Sequence, residues 1–161
     1  MEKRPGFSSK GEKNILVLGI GNILLADEGA GIHVIRKLES LALPTNIELL
    51  EGGTGGLDLI FYLRGRDKIV IIDCVNIEDK PGSIYRLTLE DLEKAVSVNH
   101  NSMHQVGLIE MIKLFSLSGN KGEIIIIGIV PETYGEYQLE LSPTLGKLLP
   151  EIVKLVIKET Q

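Results

Sequence analysis

A glycine-rich loop that carries two adjacent acids is the most informative feature of the sequence. Residues 19–31 read GIGNILLADEGAG and follow an apolar run at residues 14–18. This layout predicts a strand, a loop and a helix, an arrangement that often binds phosphate through backbone N–H groups. Leu24, however, stands where the dinucleotide fingerprint needs a third glycine, and Asp27 and Glu28 would repel an anion. The loop is therefore better suited to a cation.

Three further residues lie where predicted strands or helices begin or end. Asp73 follows the apolar run at 69–72, Glu51 follows the run at 47–50, and His104 immediately precedes a predicted helix. In open α/β sheets, ligands bind beyond the carboxyl ends of the strands. Glu28, Asp73 and His104 would therefore converge on one rim of the sheet. Two carboxylates and an imidazole there would form a candidate site for a divalent metal, with open positions for water or substrate.

Each of these residues also has a purely structural interpretation. Asp73 could cap the loop or helix that follows its strand. Asp27 and Glu28 could be favourable acidic residues in the first turn of a helix. His104 could likewise be a helix cap. Only the convergence of these residues on one rim favours the metal site.

For two other side chains and one loop, the structural interpretation is the favoured one. His33 lies inside a predicted helix with no acidic pattern around it. Cys74 follows Asp73 directly, so the pleat of a strand points it to the opposite face as a buried thiol. The glycine cluster at residues 52–56 predicts a tight turn, with a backbone surface for an extended peptide as the alternative.

The apolar patterning predicts an α/β fold. Runs of β-branched residues that are apolar on both faces indicate buried parallel strands, at residues 15–18, 47–50, 69–72 and 124–130. Helical spacing recurs at about 29–41, 56–64, 105–117 and 142–158, the last with Ser142 as N-cap. Residues 84–88 alternate like an edge strand. We expect a three-layer sandwich around a twisted, mostly parallel sheet with one antiparallel edge strand.

Length and composition limit the classes of function. The 161 residues predict one domain at 14–161 after a disordered lead-in at 1–13. A net charge of −5 argues against nucleic acid as a partner. The longest apolar run, 124–130, is too short to cross a bilayer, and residues 1–13 have no apolar signal core. The single cysteine excludes an internal disulfide and fits the reducing cytoplasm.

In these motifs, the chain resembles the hydrogenase maturation endopeptidases. The resemblance extends from about residue 14 to about residue 131, in segments at 18–31, 51–56, 72–73, 80–82, 104–108 and 127–131. The first segment is specific because it combines the glycine–asparagine loop with the acid pair. The later segments follow in the expected order.

The resemblance implies a role for individual residues. The metal contacts of the family fall on Glu28, Asp73 and His104. The catalytic acids fall on Asp73 and Glu51, although the family usually has aspartate at the second position. The glycine cluster that follows Glu51 in the matching segment supplies the candidate substrate-binding residues Gly52, Gly53, Thr54 and Gly55, on the interpretation of this loop as a backbone surface for an extended peptide. His100 is a second imidazole close to His104, and the two could exchange roles.

The resemblance also implies an activity. Such a peptidase removes the C-terminal extension from the large-subunit precursor of a nickel–iron hydrogenase, after nickel has been installed in that substrate. Two mechanisms are open. In the first, the metal polarises the scissile carbonyl or a metal-bound water; in the second, an acid activates water as in aspartic proteases. Neither Ser102 nor Cys74 has the base-and-orienter pattern of a nucleophilic triad. The alternatives are a non-catalytic nickel-binding or delivery module and, disfavoured by the acidic loop, a nucleotide-binding domain.

Overall fold

A five-stranded sheet forms the centre of the computed structural model, which describes residues 11–98 and 103–161. The side chains of Val98, Met103 and His104 also lie outside the description. The strands are β1 (Ile15–Ile20), β2 (Ile47–Gly53), β3 (Lys68–Cys74), β4 (Ile84–Leu87) and β5 (Glu123–Ile129). Their order is β2-β1-β3-β5-β4, and only the β4–β5 pairing is antiparallel. The predicted mostly parallel sheet with one antiparallel edge strand is confirmed.

Helices cover both faces of this sheet, as predicted for three layers. They are α1 (Ala30–Glu39), α2 (Ile60–Leu63), α3 (Leu89–Val98), α4 (Met103–Leu117) and α5 (Pro143–Glu159). Short 3-10 turns at Ala26–Gly29 and Gly56–Leu59 lead into α1 and α2. The Oγ of Ser142 accepts a hydrogen bond from the N–H of Leu145, which confirms the predicted N-cap of α5.

Helix α3 was not predicted. Its N-terminus carries a reciprocal cap: the side chain of Asp91 accepts from the N–H of Thr88, and the Oγ1 of Thr88 accepts from the N–H of Asp91. This Thr-x-x-Asp arrangement is the sequence signal for the start of the helix. The helix was missed because the turn at residues 80–83 and the adjacent edge strand favoured irregular structure in this region.

The pleat of β3 sorts its side chains onto two faces. Ile69 and Ile71 pack in an apolar cluster with α2, α3 and α4, whereas Val70 and Ile72 pack with α1 and α5. Because side chains alternate along a strand, Asp73 continues the first face, and Cys74 is buried in the second cluster. This agrees with the predicted opposite orientation of the two residues.

A close approach of α1 to the sheet fixes the loop that follows β1. A Cβ atom on Gly31 would lie 2.4 Å from the carbonyl oxygen of Ile20 and 2.5 Å from that of Ile72. Only glycine permits this contact between the start of α1 and the ends of β1 and β3. The 3-10 turn that contains Glu28 is therefore held at the carboxyl rim of the sheet.

Predictions were also made for the N-terminal residues and for membrane-spanning segments. The disordered lead-in predicted for residues 1–13 falls mostly outside the described residues. The division of the chain at residue 13 stays a prediction. In the two described stretches, 11–98 and 103–161, no helix combines the length and apolar character needed to span a membrane.

Candidate active site

The carboxylate of Asp27 holds a distant segment, residues 132–142, against the acidic loop. Asp27 is fully buried, and its Oδ2 accepts hydrogen bonds from the N–H groups of Glu132 (2.9 Å) and Thr133 (3.2 Å). Its Oδ1 accepts from the N–H of Ser142 at 2.8 Å. Asp27 is therefore a structural residue that positions the 132–142 segment.

Glu28, the next residue, occupies a different environment. Its side chain is half-buried, and Oε2 accepts a hydrogen bond from the N–H of Gly135 at 2.7 Å. This bond fixes the orientation of the carboxylate at the rim. The 132–142 segment thus contacts both acids, and it also bridges to the loop through Leu25 and Gln138.

Glu28 and Asp73 line the same cavity, which we call the acidic cavity. Asp73 is the penultimate residue of β3 and is 1% exposed. The cavity has a volume of about 230 Å³ and is lined by Gly21, Asn22, Leu25, Glu28, Thr54, Asp73, Cys74, Gln105 and Tyr134. Two carboxylates that share one small cavity are suited to hold a cation or to activate water.

The first turn of α4 lies at the edge of the acidic cavity. Gln105 is buried, lines the cavity, and donates a hydrogen bond from Nε2 to the carbonyl oxygen of Cys74 at 3.3 Å. His104 precedes it in the same helix, but its side chain is outside the description, as is all of His100. Among the side chains that the structure does describe, no three of His, Cys, Asp and Glu form a metal-binding group. The predicted three-ligand set therefore stays a prediction.

Tyr134 is a cavity-lining residue that the sequence interpretation missed. It lies in the 132–142 segment that Asp27 holds in place. Tyr134 is 51% exposed, and the partial burial of its phenol, together with nearby acidic groups that include Glu28 and Asp73, raises the pKa of the phenol above the ordinary value. A phenol hydroxyl is protonated at neutral pH and can donate a hydrogen bond. A lone tyrosine in a polar segment carries no sequence signal for this role.

Cys74 is buried and is not suited to act as a nucleophile. Its S–H donates to the carbonyl oxygen of Asp27 at 2.7 Å. Burial, followed by the charge of Asp73, raises the pKa of the thiol well above its ordinary value. Because the thiolate is the reactive form of cysteine, this environment supports the predicted structural role.

Glu51 does not line the acidic cavity. Its carboxylate is exposed and pairs with the guanidinium of Arg36 in α1, at 2.7 Å from Nε and 3.3 Å from Nη2. Glu51 lies instead at a neighbouring groove of about 290 Å³, which we call the glycine groove. The catalytic role predicted for Glu51 stays a prediction, and the two predicted catalytic acids are not brought together.

The predicted substrate-binding loop is divided between these two spaces. Gly52, Gly53 and Thr54 line the glycine groove, and Thr54 also lines the acidic cavity. Gly55 donates its N–H to the carbonyl oxygen of Gly52 at 3.1 Å, which closes the turn. An extended peptide could therefore contact residues 52–54 and reach the acidic cavity past Thr54.

His33 does not line the acidic cavity and has a structural environment. Its Nε2 is 3.1 Å from the carbonyl oxygen of Leu139. Burial lowers the pKa of its imidazole. Both observations agree with the structural role predicted for His33.

Comparison with known proteins assigns this arrangement to a family. A sequence model of the family described as hydrogenase maturation protease, HycI, matches residues 32–159. The chain belongs to the hydrogenase maturation protease family. The hydrogenase 2 maturation protease of Escherichia coli is 34% identical over 146 residues, covering 89% of this chain and 88% of that protein. The putative hydrogenase maturation protease of Methanocaldococcus jannaschii is 29% identical over 153 residues, covering 92% and 97% of the two chains.

Solved structures agree with this hydrogenase maturation protease in fold. The maturating endopeptidase HybD of Escherichia coli has a TM-score of 0.83 and 32% identity, covering 91% of each chain. HybD of Thermococcus kodakarensis has a TM-score of 0.76 and 29% identity, covering 92% of this chain and 99% of that one. The predicted family and α/β fold are both confirmed.

Proposed function

We propose that this protease removes the C-terminal extension of a nickel–iron hydrogenase large-subunit precursor after nickel has been inserted into that precursor. The observation that carries the proposal is the shared cavity of Glu28 and Asp73 at the carboxyl rim, beside the first turn of α4. Relatives that cover nearly all of the chain are named hydrogenase maturation proteases. The cytoplasm, predicted from the single cysteine, is the proposed compartment.

The nickel belongs to the substrate in this proposal. Glu28, Asp73 and His104 would complete the coordination of an ion that the precursor already holds. Two carboxylates and one imidazole make an oxygen-rich set with no thiolate, whereas tight resident zinc sites use more nitrogen or sulfur. Such a set suits recognition of a metal that another protein presents. No nucleotide has a part in this mechanism.

Asp73 is the proposed catalytic carboxylate. Water adds to the scissile carbonyl carbon while Asp73 accepts a proton from it, and that proton then passes to the leaving amine as the peptide bond breaks. The hydroxyl of Tyr134, which lines the same cavity, is a candidate donor to the oxygen of the tetrahedral intermediate. Polarisation of the same carbonyl by the substrate's nickel is the metal-assisted alternative.

Mass spectrometry of the precursor tests the proposal. Nickel-loaded precursor is incubated with the wild type, with Asp73→Asn, or with the control Glu151→Gln, which removes one exposed charge from α5. We expect the wild type and the control to shorten the precursor, and Asp73→Asn to be slower by about 100-fold or more. Unchanged processing by Asp73→Asn would contradict its catalytic role. Precursor that binds the wild type yet stays full-length would instead indicate a nickel-binding module.

A further inference from the structure

A second cavity adjoins the acidic cavity and has a different chemical character. It has a volume of about 210 Å³, and none of its lining residues carries a charge. Its lining comprises Ile20, Leu59, Leu108, Met111, Thr54 and the two glycines Gly56 and Gly107. We call it the apolar cavity. Apart from Thr54, none of its lining residues belongs to the predicted catalytic, metal-binding or substrate-binding sets.

The floor of the apolar cavity is the hydrophobic core itself. Ile20, Leu59, Leu108 and Met111 are at most 6% exposed and belong to the apolar cluster between the sheet and α4. Because these side chains are fixed by core packing, the cavity is preformed. An apolar group that enters it would extend the core and leave water.

Thr54 connects the apolar cavity to the acidic cavity, because it lines both of them. A peptide whose scissile bond lies at Glu28 and Asp73 would occupy the cavity that Thr54 lines together with these two acids. Successive Cα atoms are about 3.8 Å apart and successive side chains of an extended chain point in opposite directions. One of the two residues that flank the scissile bond can therefore direct its side chain into the apolar cavity.

We propose that the apolar cavity is a specificity subsite that binds one large aliphatic side chain of the substrate, on a residue next to the scissile bond. This inference rests on the proposed proteolytic function. A dry cavity of about 150 Å³ can hold a benzene molecule, so 210 Å³ has room for a leucine or methionine side chain. Burial without a charged or strongly polar partner selects an aliphatic group over serine or aspartate.

Two glycines allow a substitution that fills the apolar cavity and a matched control substitution outside it. Gly107 in α4 lines the apolar cavity, and Gly146 in α5 is exposed on the other face of the sheet. A Cβ atom built on either glycine meets no atom within 4 Å. Leucine is a better helix former than glycine at both positions, so neither substitution should unfold the chain. Only Gly107→Leu should occupy the subsite.

Processing kinetics form the first arm of the test. The cleavage site is located from the mass of the product, and each flanking residue of the nickel-loaded precursor is changed to leucine or to serine. At one flanking position, we expect the wild type and Gly146→Leu to process the leucine precursor about 10–100-fold faster, as kcat/KM, than the serine precursor. Gly107→Leu should lose this preference. Equal processing of both precursors by the wild type, or an intact preference in Gly107→Leu, would overturn the proposal.

A binding arm separates this inference from the proposed function. N-acetyl-leucine methylamide is titrated into each protein while the methyl signals of Leu59, Leu108 and Met111 are followed by NMR, with N-acetyl-serine methylamide as the comparison. Shifts caused by the leucine probe in the wild type and Gly146→Leu, but not in Gly107→Leu, support the subsite even if no precursor is cleaved. The absence of shifts in the wild type would overturn the subsite even if the precursor is cleaved.

Discussion

Asp27 and Glu28 are adjacent in the chain but differ in burial and in what their oxygens contact. The carboxylate of Asp27 is fully buried and accepts three backbone hydrogen bonds from the 132–142 segment. Glu28 makes one such bond and faces the acidic cavity together with Asp73. Substitutions at these neighbours should therefore separate stability from activity.

The first prediction concerns this pair of acids. Asp27→Ala leaves one buried and two partly buried N–H groups without their acceptor, and an unpaired buried group costs about 1–3 kcal/mol. We expect the free energy of unfolding to fall by about 3 kcal/mol or more in urea titrations. Glu28→Gln should change it by less than about 1 kcal/mol while slowing precursor processing. Wild-type stability in Asp27→Ala would show that these hydrogen bonds do not hold the segment.

Individual residues also mark the limit of what the sequence could predict. The strand-ending position of Asp73 and the acid pair after β1 were enough to predict that Glu28 and Asp73 share one rim. The ion pair of Glu51 with Arg36 was not predictable, because it depends on how α1 packs beside β2. Tyr134 reaches the cavity only because Asp27 holds a segment more than one hundred positions away. Contacts between residues so far apart in the chain leave no local sequence pattern.

Secondary-structure elements were predicted more completely than side-chain contacts. The apolar runs predicted all four parallel strands: β1, β3 and β5 are buried on both faces and leave a continuous apolar signal, whereas β2 is an edge strand that is only partly buried. The alternation of residues 84–88 predicted the antiparallel edge strand β4. Helix α3 was missed, since its cap lies beside a turn that favoured an irregular interpretation. The hydropathy pattern of each strand thus predicted the sheet, whereas the only local sequence signal for α3 is its capping pattern.

An ionic network connects the end of α5 to the edge of the sheet and provides a prediction about pH. The side chain of Glu159 accepts from Nε of Arg86 at 2.7 Å and from Nζ of Lys68 at 3.3 Å. The hydrogen bond from Arg86 is the main cause that lowers the pKa of Glu159 below its ordinary value of 4.5. The network therefore stabilises the protein above about pH 4.5, and this contribution is lost as the pH falls through the lowered pKa.

We expect Glu159→Gln to lower the free energy of unfolding by about 1 kcal/mol at pH 7. The difference from the wild type should shrink as the pH falls below 4.5, because the wild-type carboxylate then becomes protonated. The control is Glu90→Gln, which removes an exposed pair with Lys94 within α3 and should change stability by less than about 0.5 kcal/mol. Urea titrations at several pH values measure both variants. A difference for Glu159→Gln that persists undiminished at low pH would contradict the assignment.

At the scale of the whole molecule, one side of the sheet brings together residues from distant parts of the chain. The ends of β1 and β3, the first turn of α4 and the 132–142 segment all border the acidic cavity. The apolar cavity and the glycine groove meet it at Thr54. The two acids thus lie in a cavity that adjoins two further spaces, and this arrangement is the physical basis for the proposed proteolysis.

The proposed activity is recognition of nickel held by the substrate, followed by cleavage of that substrate. The most direct test treats the purified enzyme with a chelator, desalts it, and incubates it with nickel-loaded or nickel-free large-subunit precursor. Mass spectrometry then follows the loss of the C-terminal extension. We predict cleavage of the nickel-loaded precursor only, because a precursor without nickel offers no ion for Glu28, Asp73 and His104 to contact. Equal cleavage of both precursors, or activity that requires a stoichiometric zinc ion in the enzyme, would contradict this account.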